Sequence, residues 1–122
     1  MLFRSPCEEG DFTQAGGAAA MRALLAGEPE LDAVFIASDL MAQGALQVLH
    51  RLGRRIPADV AVVGFDDSAV ALSCDPQLTT VRQPVEEMAG EMARLLLRRI
   101  GASDGPVRSV VFPPTLVVRG SA

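Results

Sequence analysis

The hydrophobic positions of this chain change period along its length. Residues 33–37 (AVFIA) and 60–64 (VAVVG) are unbroken apolar runs, and the stretch between them is apolar at helical spacing. A short apolar run, an amphipathic stretch and a second apolar run predict strand–helix–strand. That is the unit of a parallel sheet with a right-handed crossover. Unbroken runs further predict strands covered on both faces. On the intervening helix, roughly 40–52, Met41, Ala45, Val48, Leu49 and Leu52 form one stripe, and Ala42 and Leu46 widen it. The apolar arc then exceeds the ~100° that one core contact needs. It asks for a second burial partner, either another subunit or a neighbouring loop.

The same reading places the other elements. AGGAAAMRALLAG is a helix with Thr13 as N-cap and Gly27 as its stop; Met21, Leu24 and Leu25 point inward. Gly16 and Gly17 either allow close packing or open the helix N-terminus to a ligand. A weak helical turn at 68–73, a turn at Asp75-Pro76 and a short strand at 78–81 (LTTV) follow. Residues 85–100 make the best helix, with Val85, Met88, Met92, Leu96 and Ile100 on one face and its acids ahead of its arginines, as the helix dipole favours. GASDGP is a linker. VRSVVF (107–112) and TLVVR (115–119) read as strands interrupted by Pro113-Pro114, which removes two ladder donors. MLFRS at the start is a short strand or a ragged beginning. The last helix and the kinked strand pair are surplus to one layered domain and point to a second lobe.

Composition narrows the function classes. The 122 residues carry 49% hydrophobic and 21% charged side chains, which suits one globular domain. Formal net charge is −4, so the chain by itself is a poor grip for phosphate backbones. It has no Trp or Tyr for a stacking platform. No apolar run spans a bilayer and no export signal is visible, which favours a cytoplasmic location. Cys7 and Cys74 are expected as free thiols, and His50, the one histidine, as a surface residue. No nucleophile elbow, Walker loop, dinucleotide fingerprint or metal-ligand spacing occurs. The expectation is a non-enzyme without cofactor, metal site or catalytic residues.

In open α/β sheets ligands bind beyond the carboxyl ends of the strands. Ser38-Asp39 and Asp66-Asp67 both fall there. Asp66 is the sharpest candidate, because a carboxylate accepts hydrogen bonds from sugar or polyol hydroxyls; the alternative is bonding to loop amides. Asp67 reads first as a cap or turn residue, and Ser38 or Asp39 as the cap of the helix that Gly53 stops. Ser38 could offer its hydroxyl to a ligand. Phe12 could stack on an apolar ring face or belong to the core, and Arg82 could bond a ligand or pair with an acid.

The segments GDFT (10–13), AVFIASDLMAQGAL (33–46), RIPADVAVVGFDDS (55–68), LTTVRQPVEEM (78–88) and LVVRGS (116–121), in this order, resemble the effector-binding domain of LacI-type transcriptional regulators. The resemblance implies a periplasmic-binding-protein-like (type I) fold: an α/β, three-layer parallel-sheet lobe, with one helix belonging to a second lobe that these residues do not include. Residues 1–80 and 115–122 would form the C-terminal lobe, and 81–114 the crossover elements of the N-terminal lobe. It implies effector contacts at Phe12, Ser38 and Asp66, with Asp39, Arg82 and Val85 as secondary candidates. It implies a homodimer surface at Met41, Ala42, Ala45, Leu46, Leu72 and Cys74. The effector would be a sugar or similar small polar molecule. Operator DNA would be reached only through a helix-turn-helix outside these residues, so the chain is expected to be a fragment. A transporter-associated sugar-binding protein is the alternative. Departures from the family pattern are Ala18-Ala19 where Tyr-Arg is common, Val85 where some members have an aromatic, and the lack of the usual arginine upstream of GDFT, which Arg4 does not replace.

Overall fold

The structure, a computed structural model, describes residues 5–101 and 106–122. Arg4, most of MLFRS and the middle of the GASDGP linker lie outside the described residues. The elements run α1 (Gln14–Gly27), β1 (Ala33–Phe35), α2 (Asp39–Arg51), β2 (Ala61–Asp66), α3 (Ala69–Ser73), β3 (Thr79–Arg82), α4 (Val85–Gly101) and β4 (Thr115–Val117). The strands form one sheet in the order β1-β2-β3-β4. β1 pairs parallel with β2, Val34 opposite Val62, and β2 parallel with β3, Gly64 opposite Thr80. The carboxyl ends of these three strands therefore share one edge.

The chain divides into two units: one runs to Arg82 and takes up Leu116–Ala122 again, and the other is Gln83–Thr115. The first unit holds the core, built on Met21, Ile36, Met41, Leu46, Leu49, Val60, Val62 and Leu78. α2 packs on α1, β2 and α3. Gly17 and Gly44 make the α1–α2 approach possible, because a β-carbon at Gly17 would overlap the Met41 backbone and one at Gly44 the Gln14 carbonyl. Close packing is thus what Gly17 does. The C-terminal tail locks the sheet: Val62 N–H donates to the Ser121 carbonyl, Thr79 N–H to Ser121 Oγ, and Ser121 Oγ to the Val62 carbonyl across 2.6 Å.

Three expectations change. β1 lacks two-sided cover: Ala33 and Phe35 are exposed, while Val34 is half-buried and Ile36 buried. It is the outer strand, and an apolar run on an edge can still alternate. Residues 107–112 form no strand among the described residues; Val107 and Val111 are exposed, and Pro113-Pro114 follow immediately. Leu52 leaves the α2 stripe at 58% exposure because it is the C-cap, with the chain turning at Gly53 (φ +70).

The wide arc of α2 is covered by the chain itself. Met41, Ala42, Ala45 and Leu46 are buried in the first unit's core, and so is Cys74. Of the six residues expected on a subunit surface, these five are buried in the single chain and Leu72 is exposed. The second burial partner is intramolecular, since α1 and α3 each pack against α2. In the second unit, α4 buries none of its residues, and Val85, Met92, Leu96 and Ile100 are exposed. Glu86 and Glu87 open it, Arg98 and Arg99 close it, and Arg94 bonds Glu91 one turn earlier.

Candidate functional site: the carboxyl edge of the sheet

Each sheet-edge residue is positioned by a strand end or a helix start. Ser38 is the N-cap of α2: its Oγ accepts the Met41 N–H at 3.2 Å, and the residue is 7% exposed. Extended backbone at Ser38 lets its hydroxyl turn back to an orphan amide of the first helical turn.

Asp39 is fully buried. Its Oδ2 accepts the Ser68 N–H at 2.7 Å and the Ser68 hydroxyl at 3.2 Å, and its Oδ1 accepts the Thr80 hydroxyl at 2.6 Å. This carboxylate ties the start of α2 to the loop after β2 and to β3. Asp39 organises the edge from inside. Burial pushes the neighbouring Cys74 thiol up from its ordinary value, and the Asp39 charge adds to this.

Asp66 and Asp67 both lie in the left-handed region, at φ 117 and φ 56. Asp66 closes β2, opposite Arg82, and is exposed. Asp67 is turned inward, its side chain 7% exposed between two guanidinium groups. Arg119 Nη2 donates to Oδ1 across 2.6 Å and Arg82 Nε to Oδ2 across 2.5 Å. Burial pushes the Asp67 carboxyl up, but the bonds and charges of Arg119 and Arg82 outweigh it and hold the carboxyl below its usual range. Asp67 is thus neither cap nor turn residue alone; it is the centre of an ion triad. Arg82 takes the acid-pairing role of its two expected roles. Arg119 also donates through Nη1 to the Leu78 carbonyl and through its N–H to Thr79 Oγ1.

Phe12 is 66% exposed and left-handed at φ 61. The turn before α1 holds it there: Asp11 Oδ1 accepts from both the N–H and the hydroxyl of Thr13, and Thr13 Oγ1 caps the Gly16 N–H. Those bonds from Thr13 keep the Asp11 carboxyl below its ordinary value. Phe12 borders an apolar cavity of about 300 Å³ with Phe35, Ala37 and Met41. Ala37 and Met41 flank Ser38 and Asp39 in the chain, so Phe12 stands at the α2 end of the same edge. Val85 opens α4 in the second unit and is 60% exposed. Among the described residues no cluster of His, Cys, Asp and Glu could hold a metal ion, Cys7 and Cys74 are free thiols, and His50 is exposed. No helix of the described residues is long and apolar enough to cross a membrane.

Sequence reasoning found Phe12, Ser38, Asp66 and Arg82 at this edge but gave no role to Thr80 or Arg119. Arg119 sits 52 residues from Asp67, and its only signal was membership of the LVVRGS segment.

The edge can hold hydroxyl groups against carboxylate and hydroxyl oxygens beside an exposed aromatic face. A family model described as a periplasmic binding protein-like domain matches residues 4–122. The HTH-type transcriptional regulator CelR of Thermobifida fusca is 57% identical over 92% of this chain and 33% of its own length. The repressor CytR of Escherichia coli is 39% identical over 92% of this chain and 33% of its own. The chain thus spans about a third of the length of these relatives. A solved structure of a CelR–cellobiose complex superposes with a TM-score of 0.89 at 53% identity, covering 93% of this chain and 35% of that one. An Arthrobacter LacI-family regulator in complex with lactose gives 0.80 at 30% identity, over 92% of this chain and 43% of that one. The chain belongs to the periplasmic-binding-protein-like domain family, in the form carried by LacI-type transcriptional regulators.

Proposed function

We propose that this chain forms one side of the effector site of a sugar-responsive LacI-type transcriptional regulator, and that the effector is a glucoside disaccharide, with cellobiose as the first candidate. The observation that carries the reading is Asp66: an exposed carboxylate, on left-handed backbone, at the ligand-side end of an inner strand. Such a group accepts hydrogen bonds from two adjacent sugar hydroxyls. Phe12 supplies a ring face for the apolar side of a pyranose, and Ser38 a hydroxyl. The likeness to a regulator solved with cellobiose supports the sugar class.

In this reading residues 81–114 supply crossover elements of a second lobe. Ligand occupancy changes operator affinity through a helix-turn-helix elsewhere in the polypeptide. The regulator acts in the cytoplasm as a homodimer, with Leu72 on the subunit surface, and releases its sugar unchanged. Calorimetric titration of the intact polypeptide containing these residues with cellobiose, maltose, lactose and ribose tests the proposal. Saturable binding of cellobiose that is lost in Asp66→Ala and kept in His50→Ala is the expected result. Binding of none of the four sugars, or cellobiose binding indifferent to Asp66→Ala, would overturn it.

A further inference from the structure

We infer that Asp67 is a positioning residue for Asp66: clamped by Arg82 and Arg119, it holds the two-residue left-handed turn that presents the Asp66 carboxylate at the sheet edge. The inference rests on the reading of Asp66 as an effector contact.

The backbone supplies the first reason. A side chain with a β-carbon is disfavoured at positive φ, where glycine is at ease. Aspartate tolerates values near that of Asp67, φ 56, but φ 117 at Asp66 lies outside the usual left-handed well. Such residues persist where the surroundings over-determine them, and they gather at functional sites. A glycine pair would make this turn without strain. Two consecutive acids in two left-handed positions run against local preference, which is the pattern expected where function demands the side chains.

The contacts supply the second. Both Asp67 oxygens are occupied by guanidinium donors, at 2.6 Å and 2.5 Å. The Asp67 N–H reaches Thr80 Oγ1 at 3.4 Å, and the next amide, Ser68 N–H, is held by buried Asp39 at 2.7 Å. The turn is therefore fixed from β3, from α2 and from the segment after β4. The two acids differ in setting: Asp67 has a side chain 7% exposed with both oxygens held by guanidinium groups, and Asp66 is exposed at the strand end. Arg82 is the last residue of the first unit before Gln83, and Arg119 follows shortly after the chain returns at Leu116. The same carboxylate pins the points where the chain leaves the first unit and re-enters it.

The test uses the intact polypeptide as wild type, Asp67→Asn, Arg119→Lys and Arg82→Gln. Arg82 has an exposed side chain, so Arg82→Gln leaves the fold intact should Asp67→Asn fail to fold. Two readouts are taken: the ligand-free Cα and Cβ chemical shifts of Asp66 by NMR, and the Kd for cellobiose. In Asp67→Asn the Asp66 shifts should move away from their wild-type values and the Kd should rise about tenfold or more, the factor a charge-assisted hydrogen bond is worth. Arg82→Gln should move both in the same direction, the Kd by about two- to fivefold, as for an exposed ion pair. Arg119→Lys, which keeps the charge and loses the fork, should fall between them. A merely structural anchor would lower the thermal midpoint and leave Asp66 shifts and the Kd of the folded protein unchanged; that result overturns the inference. If the wild type fails to bind cellobiose while the Asp66 shifts respond, the effector reading of Asp66 falls and its positioning by Asp67 stands.

Discussion

Thr80 donates its hydroxyl to Asp39 across 2.6 Å, with both residues completely closed to solvent. Asp39 opens α2 and Thr80 lies in β3, so one bond joins the helix to the sheet beneath it. Removing the carboxylate leaves the Thr80 hydroxyl and the Ser68 amide unmatched, and an unmatched buried group costs more than a bond contributes. Asp39→Ala should lower unfolding free energy by about 2–4 kcal/mol. Thr80→Val, which removes one donor of three, should cost about 1–2 kcal/mol. Urea denaturation measures both; equal stability of Asp39→Ala and wild type would show that the edge is held by something else.

Acid should unfold the protein partly through Asp67. Its folded carboxyl sits below the ordinary 3.8 because Arg119 and Arg82 outweigh the effect of burial. The unfolded chain then takes up the proton first, so this contribution is complete above 3.8 and is lost as pH falls through that value towards the folded one. Asp59, held at about 2 by its bonds from Arg55, works in the same direction at the surface. Stability measured between pH 6 and pH 2.5 should fall more steeply for wild type than for Asp67→Asn. Parallel curves would remove Asp67 from the account.

Glycine substitutions should split by position. Gly17→Ala drives a methyl into the Met41 backbone on the facing helix and should cost about 1–3 kcal/mol. Gly90 lies inside α4 with open space at its β-carbon position, and Gly90→Ala should add about 0.5–1 kcal/mol. Thermal midpoints of the two variants should move in opposite directions.

The α2 arc gives a further contrast. Leu46 is 3% exposed and Leu72 is 55% exposed. Leu46→Ala should destabilise by about 2–4 kcal/mol, whereas Leu72→Ala should stay within about 0.5 kcal/mol. Chemical denaturation of the two variants separates core from surface. A near-neutral Leu46→Ala would return Leu46 to the candidate subunit surface.

What the sequence alone determined is local. Thr13, Ser38 and Gly53 could be read as helix punctuation because capping is settled by the side chain and backbone within one turn. The strand–helix–strand unit at 33–66 was legible because its burial pattern is written in the period of its apolar residues. That period also placed Asp66 at the carboxyl edge of the sheet, since a parallel sheet sends its strand ends the same way.

The tertiary structure decided the pairings. Nothing in residues 38–40 says that Asp39 will be enclosed by Ser68 and Thr80, 29 and 41 positions away. Nothing near Asp67 announces Arg119, 52 positions away. An apolar arc records that a face is covered and not by what, so α2 read alone could not tell its own α1 and α3 from a second subunit. The apolar run at 107–112 shows the same limit: hydrophobicity favours a strand, but a strand exists only where a neighbour offers its amides and carbonyls. Local chemistry is fixed by adjacent atoms. Which guanidinium a carboxylate meets is fixed by the path of the whole chain.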